Sequence, residues 1–257
     1  MFVGTLFVQA LLAVSALAFP SSRERFERRA ATRNGKPRPL LSHSNATHDT
    51  YDETWAGGII SSNAGTYKSV VGTFTAPPLS VPPGSSSSGE YATSAWVGID
   101  GATCQTAIWQ AGIDMYIKDG SASYYPWYEW YPAGSVYYDD LTVSEGDSLT
   151  VNVTATSTTT GTVTIKNNSN GQSKSSTVSY NYPLCEQDAE WIVEDFYYGD
   201  STVHLVDWNT VAFTDAVAKT SSKSVAPTSG YTYDLEQSGK ILSSTTLGSS
   251  TVTIKYV

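Results

Sequence analysis

From Thr54 to the C-terminus, apolar residues recur at every second position in short runs, and the breaks between runs fall on Gly, Asn, Ser and Pro. The stretch TVSEGDSLTVNVTATSTTTGTVTIKNNSNGQSKSSTVSYN and the closing KILSSTTLGSSTVTIKYV both follow this pattern. A period of two is that of half-buried strands, and the turn residues between them read as antiparallel hairpins. Helical spacing is almost absent. The economical architecture is all-β, an antiparallel two-sheet sandwich forming one domain over residues 51–257. PPLSVPPGSSSSG, Pro77 to Gly89, interrupts it as an exposed loop.

Alternation also sorts the polar residues. In AEWIVEDF, Ala189 to Phe196, it sends Glu190, Ile192, Glu194 and Phe196 to one face and Trp191, Val193 and Asp195 to the other. Glu190 and Glu194 then lie roughly 13 Å apart at about 3.3 Å per residue, too far to act as a close carboxylate pair. The same rule sets Gln110 between Ile108 and Gly112 on one face of AIWQAG. YYPWYEWYP surrounds Glu129 with six aromatic rings, a composition suited to a binding cleft.

Upstream, the character of the chain changes. MFVGTLFVQALLAVSALA reads as a secretory signal peptide over residues 1–18, short for a membrane span, with an N-terminal membrane anchor as the alternative. Residues 19–50 form a basic segment carrying Arg23, Arg25, Arg28, Arg29, Arg33, Lys36 and Arg38. From Asn45 onward there are eight lysines, no arginine and twenty-two acids. Such a split suggests a basic propeptide that covers and inhibits an acidic body until acid loosens the attraction. A secreted, extracellular protein also fits the glycosylation sequons at Asn45, Asn152 and Asn167, and two cysteines, Cys104 and Cys185, that form a disulfide. Secretion argues against a nucleic-acid partner.

Of three histidines, only His204 falls well inside the body, so a histidine-based nucleophile machine is not expected. No cluster has metal-ligand spacing and no glycine-rich phosphate loop is present, so neither metal nor cofactor is expected. Carboxylates, amides and aromatics remain. A glycoside hydrolase using Glu129 and Glu194, or a carbohydrate-binding module, would draw on the same residue types.

WVGIDG followed by TCQTAI and Q-x-G-x-D, then WYEWYP, then C-x4-EWIVEDF, resemble the glutamic peptidases, the eqolisin group of secreted acid endopeptidases. The likeness runs from Thr54 to the C-terminus. It implies a lectin-like β-sandwich with a catalytic pair of Gln110 and Glu194, the first stabilising the oxyanion and the second acting as general base on water. It places Trp96, Asp100, Asp114 and Glu129 in or near the substrate cleft. Glu190 matches the first Glu of the EWIVE motif and is counted with the cleft, its role unassigned. Trp109 stands where the family pattern has Leu. The implied partners are protein or peptide substrates, cleaved by a monomer.

Overall fold

A strand with apolar residues at alternate positions can bury only one of its faces, so a sheet of such strands needs a second sheet to cover it. A computed structural model describes residues 50–198 and 201–257 and meets that need with two large sheets. The first has nine strands. Its path runs Thr50–Asp52, Tyr231–Gln237, Trp55–Ser61, Asp188–Glu194, Glu90–Ile99, Ile108–Lys118, Ser121–Tyr131 and Ser135–Tyr137, with Lys240–Ile241 joined to Tyr231–Gln237 off the path. Among these strands only Thr50–Asp52, against Tyr233–Leu235, pairs in parallel, and Ala92 adds an isolated parallel bridge to Leu205. The second sheet has eight strands, in the order Ser173–Ser179, Thr160–Asn167, Ser148–Ser157, Ser69–Thr75, Thr210–Lys219, Val252–Tyr256 and Ser243–Leu247, with Ser224–Val225 at the side of Thr210–Lys219. Among the described residues the sole helical piece is the 3-10 turn Pro227–Ser229.

Between the sheets lies one large core. Trp191, Val97, Ala111 and Tyr128 from the first sheet meet Phe74, Val151, Ile165 and Phe213 from the second, and a fully buried aliphatic or Phe side chain contributes about 1.5–3 kcal/mol. Indole N–H groups brought into this core find backbone carbonyls: Trp191 donates to Val71 at 2.8 Å and Trp130 to Tyr182 at 2.9 Å. On its other side the second sheet is knitted by neutral side chains, with Ser69 bonded to Asn152, Thr73 to Thr150 and Thr164 to Ser175 across neighbouring strands.

Several sequence expectations meet the structure here. Cys104 and Cys185 are joined, with 81 residues of sequence separation. The Pro77–Gly89 loop is largely exposed, pinned by a bridge between Ser80 and Asp207 and by the Tyr91 hydroxyl donating to the Ser86 carbonyl. The signal peptide, residues 19–49 and Asn45 lie outside the described residues. Thr50, the last residue of the expected propeptide, pairs with Tyr233 in the first sheet, so the expected boundary at 50/51 lies within the strand Thr50–Asp52. Asn152 is half-buried on the second sheet, its Oδ1 accepting from Ser69. Asn167 is a poor glycan acceptor in the folded domain, because it is fully buried and its Nδ2 donates to the Thr142 carbonyl and to Asp147.

Candidate active site

The face of the first sheet turned away from the core gathers most of the expected site residues, because opposed residues in antiparallel strands point the same way. Three rows cross this face. The first reads Ile59, Glu190, Gly98, Gln110, Glu129, Ser135. The second reads Gly57, Ile192, Trp96, Gly112, Trp127, Tyr137, and the third Trp55, Glu194, Ser94, Asp114, Tyr125. Gly112 belongs where it is because a Cβ there would meet the Ala95 carbonyl oxygen at 2.0 Å. Such close backbone approach is the usual reason for a glycine inside a strand.

Gln110 and Glu194 therefore share a face but not a row. Two strand spacings and four residues separate them, about 16 Å between Cα atoms on a flat sheet. Trp96 stands on the diagonal between them and spans the interval. Its indole N–H donates to Glu194 Oε2 at 3.0 Å, while the far edge of the same ring, Cζ3, lies 2.8 Å from where a Gly98 Cβ would sit. That spot is in turn 3.3 Å from Gln110 Cβ. One indole thus marks the gap between the tips of the two side chains. A gap of this kind suits a water and a carbonyl lying between a base and an oxyanion donor.

Both residues are held. Gln110 is fully buried and donates from Nε2 to Glu129 Oε2 at 2.7 Å. Glu194 is 6% exposed, and its backbone carbonyl accepts from the Thr93 hydroxyl at 2.8 Å. Asp114, in the third row, takes one hydroxyl from Ser94 at 2.6 Å and another from Tyr137. The rings of YYPWYEWYP divide between the faces: Tyr124, Tyr128 and Trp130 enter the core, leaving Tyr125, Trp127 and Tyr131 with Glu129 on the reactive side. Glu129 and Glu194 are three strands and two rows apart, well beyond the separation at which two carboxylates cleave a glycosidic bond.

Asp100 differs from the other expected cleft residues. It adopts a φ of 68° at the end of Glu90–Ile99 and turns its carboxylate onto the backbone N–H groups of Glu186, Gln187 and Asp188. Burial pushes its carboxyl up to about 6 against the downward pull of those three donors. Asp188 answers by accepting from Thr103 and Cys104. With the disulfide alongside, these two acids fix the start of the strand that bears Glu190 and Glu194.

Asp195, on the opposite face from Glu194, accepts from Gln237 Nε2 at 2.6 Å, and its own N–H donates to the Thr54 carbonyl. It is 1% exposed, and burial pushes its carboxyl up to about 7, with the charge of Glu194 adding to the rise and the Gln237 bond opposing it. Sequence reasoning did not single out Ser94, Tyr137 or Gly98. Ser94 was within reach, sitting two residues from Trp96 on one strand, whereas Tyr137 joins Asp114 only through pairing register.

Comparison with known proteins shows the family to which the chain belongs. A sequence profile described as the Peptidase A4 family matches residues 53–256. The chain is 39% identical over 281 aligned residues to Aspergillopepsin-2 of Aspergillus niger, covering 99% of each, and 34% identical over 191 residues to Scytalidopepsin B of Scytalidium lignicola, covering 74% of this chain and 69% of that one. Among solved structures, scytalido-glutamic peptidase bound to a peptide-based transition state analogue superposes with a TM-score of 0.70 at 35% identity, covering 81% of this chain and all 100% of the other. Aspergilloglutamic peptidase from Aspergillus niger superposes with a TM-score of 0.63 at 48% identity, covering 65% of this chain and 99% of the other.

Proposed function

The chain belongs to the Peptidase A4 family and is a glutamic peptidase; from that premise we propose that it is a secreted endopeptidase working in acid through Gln110 and Glu194. The observation that carries the assignment is the Trp96 indole, bonded to Glu194 at one end and lying against the Gly98–Gln110 contact at the other.

Glu194 as carboxylate takes the proton of a water attacking the scissile carbonyl and returns it to the leaving nitrogen. Trp96 turns that carboxylate toward the middle of the face. Gln110 Nε2 carries two hydrogens; one goes to Glu129, and the other is directed to the oxygen on which negative charge develops. An amide does not titrate, so this donor survives at a pH where a histidine base would be a cation. The aromatic residues Trp127, Tyr125 and Tyr131 line the path of an extended peptide, with Asp114 held among them. The acidic body favours release of the basic propeptide in acid, where its carboxylates lose charge, and the liberated enzyme acts outside the cell as a monomer.

The test is cleavage of a denatured protein at acid pH by purified, folded variants. Gln110→Ala and Glu194→Gln should each lower kcat at least about 10²-fold. Wild-type turnover in either variant sinks the assignment. N-terminal sequencing should place the maturation cut before Thr50, since Thr50–Asp52 is a strand of the sheet; a fully active enzyme retaining its arginine-rich segment would overturn the inhibitory role of that segment.

A further inference from the structure

Glu190 has no part in the reaction as described above, yet its position is specific. It is fully buried on the reactive face, directly across from Gly98, and Gly98 is directly across from Gln110. The glycine acts as a notch. A Cβ at that position would lie 3.2 Å from Glu190 Oε2 and 3.3 Å from Gln110 Cβ, so the missing side chain lets a carboxyl and an amide from strands that do not touch lie against the same spot. Gln110 therefore has a carboxyl on each flank. Glu129, on one side, takes the Nε2 hydrogen. The nitrogen and oxygen of an amide leave the same carbon at a wide angle, so with Nε2 turned to Glu129 its oxygen is able to turn toward the Glu190 flank.

We infer that Glu190 is a positioning residue which, in its acid form, donates its O–H to the Gln110 amide oxygen and so fixes the amide with its second N–H aimed at the oxyanion. Full burial disfavours the carboxylate form. The titratable groups around it point the same way: Asp188 and Glu194 lie on its own strand, Glu129 lies beyond Gln110, and the Tyr231 phenol beside Ile59 is close enough to feel its charge. All are acids, and none brings a positive charge. A hydrogen bond received at the amide oxygen also polarises the amide and strengthens its N–H as a donor.

This inference rests on Gln110 being the oxyanion donor, and the experiment separates the two. kcat and KM are measured against pH for wild type, Glu190→Gln, Glu190→Leu and Gln110→Ala. Glu190→Gln keeps a donor that does not titrate, so it should retain kcat within about 3-fold in acid and extend activity to higher pH, by about one unit on the basic limb. Glu190→Leu should lose at least about 10-fold in kcat with KM within about 2-fold. A basic limb in Glu190→Gln that overlays wild type overturns the inference, as does wild-type turnover in folded Glu190→Leu. Should Glu190→Leu not fold, the infrared difference between wild type and Glu190→Gln decides: a carboxylic acid C=O band at the working pH is expected, and its absence refutes the acid form. Wild-type turnover in Gln110→Ala would instead sink the Gln110 assignment itself.

Discussion

Replacing Asp195 by Asn should remove much of the sensitivity of the fold to neutral pH. The folded carboxyl sits at about 7 against an ordinary 3.8. Between those values the folded chain keeps a proton that the unfolded chain has released, so stability is full below about 3.8, falls as pH rises toward about 7, and stays at the lower level beyond. Three pKa units correspond to about 4 kcal/mol at 1.36 kcal/mol each, an order-of-magnitude ceiling for a group that is 1% exposed. Asn is nearly isosteric, keeps an oxygen for the Gln237 N–H, and carries no charge at any pH. Urea unfolding of the matured domain from pH 3.5 to 7.5, in a Gln110→Ala background to prevent self-digestion, reads the effect directly. Wild type and Asn variant should be close in acid and diverge toward neutrality, where the variant should unfold at a higher urea concentration, its unfolding free energy greater by up to about 4 kcal/mol. Parallel stability curves for the two proteins would refute the reasoning, and would mean that Asp195 ionises in the folded state without penalty.

Two further outcomes follow from the geometry. Trp96→Phe keeps an aromatic ring but removes the N–H that holds Glu194, so kcat should fall about 10-fold with KM little changed, and a raised KM with kcat unchanged would point to a binding role instead. Cys104→Ala with Cys185→Ala opens a loop of 81 residues and should cost about 4–5 kcal/mol in the chain-entropy treatment, measured by urea unfolding in acid.

How far the sequence alone reaches can be judged at particular residues. Alternation assigned faces correctly along AEWIVEDF: Glu190, Ile192 and Glu194 lie on the reactive face, with Trp191 and Val193 in the core. Face is a local property, fixed by pleating within one strand. Row is not. Nothing near Gln110 in sequence says that Glu190 lies in its row and Glu194 two rows away, because register depends on pairing with Glu90–Ile99, which is remote in the chain. The same limit hid the partner of Asp195, since Gln237 is 42 residues distant. The six rings around Glu129 looked alike in sequence, and only their division between core and cleft distinguishes packing from recognition.

The two sheets also divide the molecule's response to its surroundings. Every buried acid among the described residues, from Asp100 through Asp234, stands on or beside a strand of the first sheet, whereas the second is stitched across its outer face by hydroxyls and amides that have nothing to ionise. One layer buries its acids, whereas the other keeps its ionisable groups, such as Asp215 and the Lys174 that pairs with Asp140, out of the core. As the medium turns neutral, opening should begin in the layer that holds Gln110 and Glu194 while its partner keeps its amides protected against exchange, so activity vanishes before the scaffold does.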